Sequence, residues 1–91
     1  MLALKLKMIF SPEIRAGRAL LGWSQLQLAE AAGVGVATIR RIEAAGTRIR
    51  GSIETTWKIQ KALEAAGVEF MPEEVGIGPG VRLKQPRNSR P

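Results

Sequence analysis

From Val36 to Gly51 the chain carries four arginines, Arg40, Arg41, Arg48 and Arg50, against one glutamate, Glu43. A guanidinium is a permanently charged planar fork that matches phosphate oxygens and the acceptor edge of guanine. Such a cluster is the electrostatic footprint of a polyanion-binding surface. The missing residue types narrow the chemistry further. The chain has no cysteine, histidine or tyrosine. That excludes disulfide frames, thiolate and ordinary zinc sites, cysteine nucleophiles and histidine-dependent triads. All 8 acidic residues are glutamates, single apart from Glu73-Glu74, and none pairs in a pocket-forming context. No enzyme, metal or cofactor is expected.

Two of the arginines fall inside the stretch from Trp23 to Gly46, WSQLQLAEAAGVGVATIRRIEAAG. It reads as two short helices around a glycine-marked turn. Ser24 and Gln27 have the spacing of a capping box, and Trp23 with Leu28 that of a hydrophobic staple. The first helix is expected over residues 25–32, with Gly33 as its left-handed terminal residue. Gly35 then caps a second helix from Val36 to about Ala45, with Val34 and Ile39 as a further staple and Gly46 as the stop. Leu28, Ala32, Val34, Ile39 and Ile42 take inward positions, while Gln25, Gln27, Glu30, Arg40 and Arg41 take outward ones. Small Ala29 leaves room where two steeply crossing helices approach. These offsets are those of a DNA-binding helix-turn-helix. The rival is a plain helical hairpin within a small bundle.

The flanks are less distinctive. In Met1 to Phe10, Leu2, Leu4, Leu6 and Met8 alternate against Lys5 and Lys7, which fits an edge strand or an untethered extension. Ser11-Pro12-Glu13 then opens a helix, with serine as cap and proline at the first helical position. That helix carries Ile14, Ala16, Ala19, Leu20 and Leu21, and Gly17 inside it suggests close packing against another helix. Arg48 and Arg50 lie in a glycine-bounded loop, read as backbone-phosphate or minor-groove contacts in preference to solvated charges. Ser52 caps a further helix over residues 53–66, with a core face of Ile53, Trp57, Ile59, Ala62 and Leu63 and an outer Glu54–Lys58 pair. Trp23 and Trp57 are read as core anchors. Val68 to Met71 and Val81 to Lys84 alternate as the strands of a β-hairpin with a long loop. GIGPG lacks the spacing and following helix of a phosphate loop. Residues 85–91 form a polar basic tail.

The length of 91 residues suits one domain, divided as an extension 1–10, a helix-turn-helix unit 11–67, a hairpin 68–84 and a tail 85–91. The formal net charge is +6 and the sequence pI about 10.9, which favours nucleic acid before an anionic membrane. No apolar run approaches a transmembrane length, and MLALKLKMIF is a poor signal peptide, so a cytoplasmic location is expected.

RAGRALLGWSQLQLAEAAGVGVATIRRIEAAG resembles the Cro and phage-repressor type of helix-turn-helix, the xenobiotic-response-element (XRE) family of bacterial regulators. The resemblance spans about Glu13 to Gly67 and rests on Arg18, Ser24-Gln25, Ala29, Gly33 and Ile42-Glu43. The tail VEFMPEEVGIGPGVRL is similar to that of a small subgroup. The resemblance implies a compact, mainly α, four- to five-helix DNA-binding domain, here with a C-terminal β-hairpin and an N-terminal strand as an option. It implies that Gln25 bonds a phosphate and braces the recognition helix. Val36, Ala37 and Arg41 would face base edges, Thr38 would lie near them, and Arg40 near the backbone. Arg18 and Glu43 match a family ion pair. Glycine at 35 and valine at 36 depart from the family's polar residues there, which leaves thymine-methyl contact in place of bidentate readout. Ala44 and Ala45 stand where an asparagine is common.

The expected function is a sequence-specific transcriptional regulator, a repressor working as a homodimer on double-stranded DNA. The alternatives are the antitoxin of a toxin–antitoxin pair, with a toxin as partner, and a protein-interaction module on the same fold. No membrane partner is expected.

Overall fold

A computed structural model describes residues 11–46 and 52–86. Four helices, α1 (Ser11–Leu21), α2 (Gln25–Ala32), α3 (Val36–Glu43) and α4 (Ile53–Ala65), precede an antiparallel hairpin of β1 (Val68–Met71) and β2 (Gly80–Leu83). The proposed strand within residues 1–10, the loop arginines Arg48 and Arg50, and the tail beyond Pro86 lie outside the described residues.

The turn between α2 and α3 is set locally. Gln27 N–H donates to Ser24 Oγ at 3.0 Å, and Ser24 N–H donates back to Gln27 Oε1 at 2.7 Å. This reciprocal capping box fixes where α2 starts. At its other end Gly33 has φ +73°, a left-handed conformation that costs a non-glycine residue about 1–2 kcal/mol. Gly33 N–H then reaches Glu30 O at 3.3 Å, and Val34 N–H reaches Ala29 O at 3.0 Å. Those two bonds are a Schellman motif, and they satisfy carbonyls the helix end would leave open. The chain is thereby turned sharply into α3. Ala29 is 2% exposed at the crossing, where a longer side chain would push the helices apart.

The core gathers Ile14, Leu28, Ala29, Ala32, Ile39, Ile42, Ile59, Leu63, Val68 and Phe70, with Leu21, Trp23, Val34, Val36, Ala62 and Val81 packed partly against it. Burying each large apolar side chain contributes about 1.5–3 kcal/mol. Ile39 and Ile42 thus fasten α3 on one face only and leave its other face to solvent. The hairpin closes the opposite side, against α1 and α4. Its register pairs Val68 with Leu83, Glu69 with Arg82, Phe70 with Val81 and Met71 with Gly80. Glu69 and Arg82 bond across the strands at 2.9 Å.

Several positions differ from expectation. Ser11 does not cap α1; it lies inside the helix, fully buried, and its hydroxyl donates to Ile42 O at 2.6 Å. Ala19 is exposed, while Ser11, Ile14 and Gly17 form the buried face of α1. α3 stops at Glu43, and residues 44–46 are a turn. α4 ends at Ala65, with Ala66 as its cap. The inner stripe of α4 is Thr56, Ile59, Gln60 and Leu63. Ile53, one turn earlier at the helix end, is 66% exposed and takes no part in the core. Trp57 sits half-buried outside the core cluster, with the Lys61 ammonium 5.0 Å from its ring centroid. Trp23 does pack on the core. β2 runs from Gly80 to Leu83, one residue earlier than the expected strand. Glu54 and Lys58 do pair, at 3.7 Å.

Candidate nucleic-acid interface

α3 places the candidate residues by its periodicity. Ile39, Ile42 and Glu43 are buried; Ala37, Arg40, Arg41 and Ala44 are exposed. Ala37 and Arg41 are one turn apart on the outer face, and Val36 and Arg40 follow each other in the same way. Val36 leans partly onto the core and Thr38 is half-buried, so both are only partly open to a ligand. Arg40 and Arg41 crown the outer face, with only Glu43 as an acidic residue on the helix. That carboxylate is turned inward, 5% exposed, and cancels none of the outward charge.

Behind this face lies a polar anchorage. Glu43 accepts from Arg18 Nε at 2.7 Å and Arg18 Nη2 at 2.8 Å, a bidentate pair between α1 and the end of α3. Arg18 Nη1 also donates to Trp23 O at 2.9 Å, tying in the entry to α2. Gln25 Nε2 donates to Glu43 Oε1 at 3.0 Å. Gln25 was expected to face out; half-buried, it turns toward Glu43 and links the start of α2 to the end of α3. One amide hydrogen of Gln25 remains beyond the Glu43 bond. Burial raises the carboxyl pKa of Glu43, but the bonds from Arg18 and Gln25 and the charges of Arg18 and Arg15 outweigh it. The carboxyl titrates below the usual carboxylate range, and Arg18 above the usual guanidinium value.

Sequence reasoning missed two members of this anchorage. Ser11 Oγ donates to Ile42 O at 2.6 Å, and Arg15 Nη1 donates to Glu43 O at 2.6 Å. Their only sequence signal is the 11, 15, 18 spacing, which puts them on one face of α1 with Arg18.

The short glycine-capped turn from α2 into α3, the inward-anchored end of α3 and its outward arginines define a helix-turn-helix of the DNA-binding kind. A family model described as helix-turn-helix (HTH_3) matches residues 14–65. The chain belongs to this family of XRE-type DNA-binding regulators, whose members are generally not enzymes. A search of curated proteins finds no match. Among the described residues no helix is long and apolar enough to cross a membrane.

Proposed function

We propose that the protein is a repressor that binds operator DNA as a homodimer, with α3 in the major groove. In this reading Arg41 reaches a guanine, Ala37 and the open part of Val36 meet thymine methyls, and Thr38 adds a polar contact. Arg40, Arg48, Arg50 and the second amide hydrogen of Gln25 hold phosphates. The observation that carries the reading is the division of α3: isoleucines and a neutralised glutamate inward, two arginines and Ala37 outward. Two adjacent guanidinium groups with no acidic side chain on the outer face of α3 suit a polyanion.

The homodimer rests on the hairpin. Among the described residues the sheet has two short strands, and open sheet edges invite a further strand. Val75 and Ile77 are exposed at its loop, and a shallow groove of about 430 Å³ lies beside Phe70, Met71 and Ile77. The same surface favours the antitoxin alternative, in which a toxin takes the second copy's place.

A salt titration on duplex DNA tests the core of this proposal. If each subunit neutralises about three phosphates, a dimer gives a log–log slope of about −5. A flat response removes the DNA reading. Light scattering tests the assembly: a monomer at high micromolar concentration removes the homodimer, and a mixed complex with a neighbouring gene product replaces it.

A further inference from the structure

α3 is eight residues long, and its N-cap Gly35 offers no side-chain hydrogen bond. Its N-terminal end is therefore held mainly by packing. The C-terminal end is held differently. Three side chains from one face of α1 converge on its last two residues: Ser11 on the Ile42 carbonyl, Arg15 on the Glu43 carbonyl and Arg18 on the Glu43 carboxylate. The terminal carbonyls of a helix lack partners within the helix and need them from elsewhere; Ile42 O also accepts from Ala45 N–H in the following turn, at 3.1 Å, so Ser11 adds a second donor to it. Side chains of a separate helix are an unusual source, because they couple the helix end to the orientation of a second rigid body. Held at the main-chain carbonyls of Ile42 and Glu43 and at the Glu43 carboxylate, the end of α3 is restrained in its roll about its own axis. Arg41 immediately precedes the anchored pair, so its direction out of the domain follows from that roll.

We propose that Ser11 and Arg15 are positioning residues for base reading, which set the roll of α3 and so the aim of Arg41. The inference rests on the DNA-reading proposal above. Neither residue touches a base. Base-edge readout demands an approach held within about 10–20°. Phosphate contacts made by long flexible side chains tolerate more. Loosening the anchorage should therefore cost selectivity while sparing general affinity. Ser11→Ala removes one anchor without altering charge. Arg15→Met removes the other, and its lost charge cancels when affinities for two duplexes are divided.

The test compares wild type, Ser11→Ala and Arg15→Met on a duplex selected by the wild type from a random pool and on a scrambled duplex, each at the same salt and well below the melting temperature. The expected result is a fall of roughly fivefold in the ratio of the two affinities for each variant, the lower end of what one bidentate base contact discriminates. A ratio within twofold of wild type in either variant overturns the proposal. Amide hydrogen exchange in the free protein provides a second arm. The Ala44 amide, bonded to Arg40 O at 3.0 Å, should exchange faster in both variants, and unchanged exchange also overturns the clamp. A wild type that selects no sequence, with faster exchange in the variants, instead sinks the DNA-reading proposal and leaves the clamp nothing to aim.

Discussion

Arg18 and Glu43, 25 positions apart in the chain, meet through two parallel hydrogen bonds, with the carboxylate side chain only 4% exposed. The pair joins the first helix to the last residue of the third. Removing one partner strands a charge away from water, which costs about 3–5 kcal/mol, more than the intact pair contributes over an apolar substitute. Arg18→Met should therefore lower unfolding stability by about 3 kcal/mol in urea titrations. A loss under about 1 kcal/mol would show that Gln25 and Arg15 satisfy Glu43 unaided.

The same pair imposes a pH dependence. The carboxyl of Glu43 titrates below its ordinary value of 4.5. Its stabilising contribution is thus fully present above that ordinary value and is lost as pH falls through the lower folded value. Glu43→Gln should weaken the protein at pH 7 and flatten the acid limb of its stability curve. Equal acid limbs in the two proteins would place the acid sensitivity elsewhere.

Two glycines should respond oppositely to alanine. At Gly17 an added Cβ would stand 3.4 Å from Leu63 Cδ1 and 3.6 Å from Val68 Cγ1, ordinary contact distances. Gly17→Ala should then stabilise by about 0.5–1 kcal/mol through helix propensity, whereas Gly17→Leu has no room against α4 and β1. At Gly33 there is open space but φ is +73°, so Gly33→Ala should cost about 1–2 kcal/mol from backbone strain alone. Thermal unfolding of the two alanine variants checks the sign of each change.

What could be read from the sequence was what neighbouring residues decide. Ser24 and Gln27 cap each other three residues apart, and Gly33 ends α2 by its own conformation, so both were legible. The helical family and the hairpin followed from such signals and from the resemblance. The clearest misreading concerns a partner far along the chain. Ser11 has every local mark of an N-cap, yet its acceptor, Ile42 O, lies 31 residues away. Ile53 fits the period of the α4 stripe, but the core ends before it reaches that turn. Gln60 is polar and fully buried, and nothing in the sequence says that it points inward to donate to Glu64 at 3.1 Å. At the interface, the outward positions of Arg40 and Arg41 followed from helical period, while the clamp behind them did not, because it is made by another helix.

Arg48 and the arginines of α3 should separate in their effects on DNA. Arg48→Ala removes a proposed phosphate contact, so it should weaken binding about equally on all sequences and reduce the salt slope by about one. A sequence-dependent loss would move Arg48 among the base readers.

The most direct measurement is selection from a randomised duplex pool by wild type and by Arg41→Ala. If α3 reads bases through Arg41, the wild type enriches a defined site, and the variant enriches one relaxed at a single base pair, where a bidentate guanine contact of about 1–3 kcal/mol has been lost. Non-specific affinity should stay largely intact. Enrichment of the same site with the same stringency by both proteins, or of no site by the wild type, would contradict the account.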